Sequence, residues 1–418
     1  GSGTVTIGEI AATAITAESD TCYLVTFPAG TVTDTSSVNV PAGLFSDALG
    51  ETNAAVTLDC TIVFGTAQSN VNLSNINYSF MNADTGREIA VGTTTEFTPH
   101  ALGNNVYTFT ANGQYLDLTG ATAALTDREV RYQVKAAANE RFVLYAKDGL
   151  AVCDTDGGST GSPTLGLTDT DRISIGWYLT KAGQTKPLRI LPIGDSITFG
   201  TNKDASWPLM GWRDDLSKTL TAKLDRFVFV GNQTTYVTTV DSDILTRHDG
   251  NPGWTVKDHG DRNGIYDLVP ATVNKYDPDI VLMMIGINDM AVYASGGFSD
   301  AEKNEMKANY RDLVVALSAN MEEDDTIFCS RLTPMSADHS MYHYNMPETF
   351  NDTWGFNSWV AEWEAEGLPV ALNDNYAALV GKSGVICSDS IHLSLYGDTF
   401  IGQNYANSLM SVYDRNGN

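Results

Sequence analysis

The chain has 418 residues, 42% of them hydrophobic, with 51 acidic against 25 basic side chains and a net charge of −26. That length exceeds one ordinary core and sets an expectation of two domains, while the composition excludes a disordered or collagenous chain. The charge repels phosphate backbones and anionic lipid surfaces, which argues against nucleic acid or membrane as partner and suits a neutral substrate.

Residues 1 to about 180 are dense in Thr, Val, Asn and Gly. The runs TCYLVTFPAGTVT, AVTLDCTIVFG, NVYTFTANGQYLDL, EVRYQVKAA, RFVLYAKDG and RISIGWYLT each read as strands between turn residues. Helical periodicity is nearly missing, so residues 1–184 are expected to form an all-β sandwich serving as an accessory domain, carbohydrate-binding or structural. The segment DTDGG (154–158) opens like a calcium loop, but Gly158 replaces a ligand and Leu165 stands where a bidentate Glu belongs, so it reads as a turn.

The pattern changes at KAGQTKP (181–187), a polar hinge suited to a domain junction, and residues 185–418 form the second expected domain. Beyond the hinge the apolar runs LRILPIG, RFVFVG, DIVLMMIG, TIFCSRL and LPVALND alternate with helical segments. Trp212, Leu216, Leu220 and Leu224 recur at i+4 spacing, and Ser299 with Glu302 forms a capping box before a long helix. Continuous apolar strands alternating with helices predict a flavodoxin-like doubly wound parallel sheet, with its ligand site at the strands' carboxyl ends.

Four loops at those ends carry polar residues. Ser196 follows the first strand in Gly194-Asp195-Ser196, where an isolated serine would ordinarily cap a helix. Asp389 and His392 lie three residues apart before the last amphipathic helix (394–413), close enough for the acid to hold one imidazole nitrogen and leave the other for a hydroxyl. Asn288, in Gly286-Ile287-Asn288-Asp289, offers an amide donor. The loop RHDGNPGWT (247–255) offers a backbone N–H at Gly253, with Gly250 as the alternative. Each is an ordinary turn when taken alone; in this order they describe a nucleophile, a base and donors for an oxyanion.

This order of Gly-Asp-Ser, Gly, Gly-x-Asn-Asp and Asp-x-x-His resembles the SGNH (GDSL) hydrolase superfamily over roughly residues 186–415. The resemblance implies the SGNH hydrolase fold, with Ser196 as nucleophile, His392 as general base and acid, and Asp389 as its orienting carboxylate. It implies an oxyanion hole of the Ser196 and Gly253 N–H groups and the Asn288 side chain. GDSIT, GWRDDL, FVGNQ, HDGNPGWT and GINDM look most like acetylxylan-esterase-type carbohydrate esterases, with Trp212 where that group typically has tyrosine. The sandwich lies outside the resemblance.

The expected activity is therefore a serine esterase that removes O-acetyl groups from an acetylated polysaccharide or oligosaccharide through an acyl-enzyme, with no cofactor and no metal. The alternatives are an SGNH lipase or thioesterase and a non-catalytic carbohydrate-binding surface protein. Asp195, Trp207, Arg213, Asp249 and Trp254 are candidate substrate contacts, while Trp212, on an apolar helix face, reads as core. His339 and His343 read as a loop lining the cleft, and EEDD (322–325) as a solvated helix end.

The five cysteines form no Cys-x-x-Cys pair, which argues against zinc, and an odd number leaves at least one thiol unbridged. No stretch approaches the length of a membrane span. No leader opens the chain, but a mature secreted protein lacks one as well, and a secreted or cell-surface location is expected.

Overall fold

The computed structural model describes residues 4–7, 10–19, 22–26, 35–45, 53–61, 71–146, 149–204, 210–224, 226–336 and 346–416. The chain divides into two compact units, residues 1–68 and 69–418. Within the first unit, Ile10–Ala11, Thr6–Ile7, Thr35–Val40 and Val56–Thr61 form a four-stranded sheet in that order, and Ala14–Ser19 pairs with Cys22–Thr26 in a separate hairpin.

The second unit opens with ten antiparallel strands between Tyr78 and Lys181. Two of their hairpins turn on two-residue loops in which both residues are left-handed, Asn104-Asn105 and Asn112-Gly113, and the longer connection at 137–140 has the same left-handed pair at Asn139-Glu140. Such loops match the right-handed twist of the flanking strands, and asparagine tolerates them because its short side chain bonds locally. Alternating burial along Tyr132–Ala136 then turns every second side chain into a core of Phe80, Phe109, Leu116, Tyr132 and Trp177. Trp177 is fully buried and its indole N–H donates to the Val152 carbonyl at 2.9 Å, so this region's tryptophan packs the core and offers no sugar platform.

The parallel sheet consists of β1 (Leu188–Gly194), β2 (Phe227–Phe229), β3 (Arg247–Gly250), β4 (Ile280–Met284), β5 (Thr326–Ser330) and β6 (Val370–Asn373). The order is β2-β1-β4-β5-β6, with the short β3 pairing further along the same edge of β1, at Gly194 opposite Gly250. Every residue of β4 and β5 is buried, which explains the unbroken apolar sequence of β4 and the apolar centre of β5. Helices cover the sheet: α1 (Ser196–Phe199), α2 (Trp212–Thr221), α3 (Val269–Tyr276), α4 (Ile287–Tyr293), α5 (Asp300–Leu317), α6 (Phe356–Ala365) and α7 (Leu395–Asn416). Trp212 is inaccessible and packs its ring on Tyr405 of α7 at 4.6 Å between centroids. The Ser299 capping box is formed at the start of α5.

The junction expected at 184/185 falls inside this second unit. Strand direction does change there, from antiparallel before Lys181 to parallel after Leu188 apart from the edge strand Gln233–Thr234, but the core runs on: Met81, Ala83, Ile173 and Tyr178 pack in the same cluster as Val228 and Val230. Arg247 donates to Asp84 and Asp156 at 2.9 Å each, and Lys275 pairs with Asp156 at 2.9 Å. The turn at 154–158 is thus held by ions, with Asp154 on Arg87 at 2.5 Å and both side chains inaccessible. Among the described residues no helix is long and apolar enough to cross a membrane.

Candidate active site

Strand β1 ends where the backbone of β4 comes close. A Cβ on Gly194 would lie 2.1 Å from the Met284 carbonyl oxygen and 2.5 Å from Thr198 Oγ1, so only glycine lets the strand end there. Asp195 then caps the single turn of α1, its carboxylate accepting from the Ile197 N–H at 2.9 Å. This places Ser196 at the first helical position, 9% exposed, with a backbone N–H that has no acceptor among the described residues.

His392 reaches the serine from the loop before α7. Its Nε2 is 2.8 Å from Ser196 Oγ, and its Nδ1 is 2.5 Å from Asp389 Oδ2. Asp389 Oδ1 also accepts from the N–H groups of Ile391 and His392, at 3.1 and 3.0 Å, around Ser390 in the left-handed region at φ 69°. Burial pushes the Asp389 carboxyl up, but the bonds from His392 and these two amides outweigh it and hold it below the usual carboxylate range. An ionised Asp389 fixes the proton on Nδ1 and leaves Nε2 as an acceptor facing the hydroxyl. The loop itself is pinned by Cys387, whose N–H donates to the His392 carbonyl at 2.7 Å and whose thiol donates to that of Leu393 at 3.0 Å.

The proposed oxyanion donors separate into used and unused groups. The Gly250 N–H donates to His248 Nδ1 at 3.0 Å, and a Cβ there would lie 2.4 Å from the Phe199 nitrogen. Gly250 is therefore a close-packing position, whereas the Gly253 N–H has no acceptor among the described residues. Burial, then the Arg213 charge, pushes the pKa of His248 down to about 2, so the imidazole stays a neutral acceptor for Gly250. Asn288 donates through Nδ2 to the Trp254 carbonyl at 2.9 Å, which leaves one amide hydrogen uncommitted. Its Oδ1 accepts from Arg262 Nη1 at 3.1 Å, and the same nitrogen donates to the Gly253 carbonyl at 3.0 Å.

Three of the expected substrate contacts turn out to be internal supports. Asp195 is 1% exposed and spent on its cap. Arg213 is inaccessible and donates to the carbonyls of Thr198, Phe199 and Thr246 at 2.9, 3.1 and 3.2 Å, tying α1 to α2. Asp249 is buried and accepts from the Asn232 N–H and the Thr272 hydroxyl at 2.8 Å each. These polar residues stand near the site because loops converge there, and their bonds are already satisfied by backbone and side-chain groups around them. Trp254 is half-buried beside Asn288, while Trp207, His339 and His343 lie outside the described residues. Cys153, Cys329 and Cys387 are buried free thiols.

Sequence reading missed Arg262 and the roles of Asp289 and His248. Asp289 accepts the Val256 N–H on both oxygens, at 3.1 and 3.2 Å, clamping the Gly253 loop to α4. Arg262 belongs to no motif and precedes Asn288 by 26 residues, so spacing gives no sign of it.

Residues 193–398 match the family model described as GDSL-like Lipase/Acylhydrolase family. Similar solved structures include a carbohydrate esterase family 3 protein from Talaromyces cellulolyticus, at 21% identity and TM-score 0.41, covering 54% of this chain and 99% of that one. A Clostridium thermocellum family 3 carbohydrate esterase shows 21% identity and TM-score 0.40, covering 55% and 98%. A catalytic mutant of an acetylxylan esterase from Geobacillus stearothermophilus shows 20% identity and TM-score 0.38, covering 53% and 94%. No curated protein matches the chain.

Proposed function

We infer, for a chain whose residues 193–398 match the GDSL-like Lipase/Acylhydrolase family model, that the protein is a serine esterase removing acetyl groups from a polysaccharide or oligosaccharide. The observation that carries this reading is the run of contacts from Asp389 through both ring nitrogens of His392 to Ser196 Oγ, at 2.5 and 2.8 Å. In the proposed cycle His392 Nε2 takes the hydroxyl proton as Ser196 Oγ bonds to the ester carbonyl carbon. The negative charge moves to the carbonyl oxygen, where the N–H groups of Ser196 and Gly253 and the free amide hydrogen of Asn288 receive it. Collapse breaks the carbon–oxygen bond to the sugar, whose alkoxide takes the proton from His392. Water then gives its proton to His392, attacks the acetyl-serine and releases acetate as the proton returns to Ser196.

The acetyl and sugar assignments rest on motif resemblance and on Trp254, which is partly exposed and whose backbone carbonyl accepts from Asn288, so that an aromatic residue suited to a sugar ring belongs to the site loop. Residues 185–418 are proposed as the catalytic segment. The strand-rich residues 1–184 are proposed as an accessory region of sandwich type, and the location as secreted or cell-surface. An activity panel of aryl acetate, butyrate and octanoate beside acetylated xylan tests the substrate class. A steep fall from acetyl to longer chains, with turnover of the acetylated polymer, is expected. Preference for octanoate overturns the carbohydrate assignment and leaves the esterase chemistry standing.

A further inference from the structure

The geometry points to Arg262 as a positioning residue that sets both non-serine donors of the oxyanion site. The inference rests on the reading of Ser196 as nucleophile with Gly253 and Asn288 as donors.

A side-chain amide in a loop-rich site has two orientations related by a flip, and only one presents N–H to a developing oxyanion. Arg262 Nη1, a pure donor, faces Asn288 Oδ1 at 3.1 Å, so the oxygen is claimed on that side and Nδ2 is turned toward the Trp254 carbonyl at 2.9 Å and the site. The same Nη1 donates to the Gly253 carbonyl at 3.0 Å, which fixes that residue within the loop whose N–H is unused. One cationic nitrogen thus ties the Gly253 loop to α4 from outside, while Asp289 ties the same two elements through Val256.

Arg262 is itself held. It closes a turn with His259 through reciprocal backbone bonds of 3.0 and 3.1 Å, and Gly264 is anchored to Asp258 at 2.7 Å. Arg262 makes no ion pair with a carboxylate among the described residues, and its charge is directed at a carbonyl and an amide oxygen. A bond from a charged donor to Oδ1 withdraws electron density from the amide and makes its N–H a better donor. Arg262 therefore acts through Asn288 and Gly253 and does not touch the substrate.

Steady-state kinetics on an aryl acetate with the full chain test this, using R262A, R262K, R262Q, N288A, R262A/N288A and S196A. Removing an oxyanion donor outright costs on the order of 10²–10³ in kcat, and R262A is expected to cost about 10- to 100-fold with KM within about twofold. Because part of the Arg262 effect runs through Asn288 and the rest through Gly253, R262A/N288A should be slower than N288A alone but by clearly less than the full R262A factor. Added methylguanidine should restore part of the R262A rate and none of the N288A rate, and R262K should lie between wild type and R262A. Where R262A fails to fold, R262Q carries the same comparison, with kcat falling at an unchanged Tm. A wild-type kcat in R262A or R262Q, or a loss that multiplies in full with that of N288A, overturns the positioning role. An active S196A overturns the underlying nucleophile reading instead.

Discussion

Two buried carboxyls, Asp195 and Asp289, flank the candidate nucleophile and the Asn288 donor. Burial pushes Asp195 up to about 7. It pushes Asp289 up to about 8, with the nearby Asp195 charge adding to it. An acid whose folded pKa is raised binds its proton more tightly in the native state, so its stabilising contribution is complete below the ordinary carboxylate range. That contribution is lost as pH climbs through the folded value. Thermal unfolding followed from pH 5 to 8.5 should therefore show Tm falling as pH rises, and Asp289→Asn, which keeps an oxygen for Val256, should flatten the slope. An unchanged slope in that variant would show that Asp289 is already ionised at pH 5. Sequence alone placed Asp195 and Asp249 among the substrate contacts because it registers residue type and loop position. Whether a carboxylate's bonds are spent inward depends on long-range packing, such as Asp249 on Thr272, that no local pattern encodes.

At the scale of elements, α1 has only one turn and owes its place to its neighbours. The Arg213 fork from α2 satisfies carbonyls at its end, and no acid pairs with that guanidinium among the described residues. Arg213→Met should lower stability by about 2–3 kcal/mol, by leaving the Thr198 and Phe199 carbonyls without a donor while Thr246 keeps the Thr235 N–H. Denaturant unfolding and kinetics on an aryl acetate check this: kcat should fall with stability while KM holds. A raised KM at unchanged stability would restore Arg213 to the substrate. Five of the parallel strands were legible because each lies in a largely apolar run bounded by turn residues. Strand β3 was not, since Arg247-His248-Asp249-Gly250 contains no aliphatic residue and is buried only because each polar group finds a partner across the fold.

In the molecule as a whole, the candidate site was legible through four short motifs, and the change from antiparallel to parallel strands through composition. The dependence of the second half on the first was invisible, because it lies in pairs such as Arg247 with Asp84, 163 residues apart. With Arg247 at 7% side-chain exposure, losing Asp84 and Asp156 together strands a largely buried charge, which costs about 3–5 kcal/mol. Cutting the chain near Gly183 removes both acids and the packing of Met81 and Tyr178, so the fragment 185–418 is expected to lose most of its stability. A fragment that unfolds cooperatively near the Tm of the full chain and cleaves aryl acetate at the full rate would contradict this coupling.

The central claim is that Ser196, activated by His392 and Asp389, attacks the ester. Labelling with a serine-directed fluorophosphonate, followed by peptide mass spectrometry, tests it most directly. One adduct on Ser196 is predicted, formed in step with loss of esterase activity and absent from Ser196→Ala, which should be folded and inactive. An adduct on any other serine that tracks the loss of activity, or esterase turnover surviving in Ser196→Ala, would contradict the account.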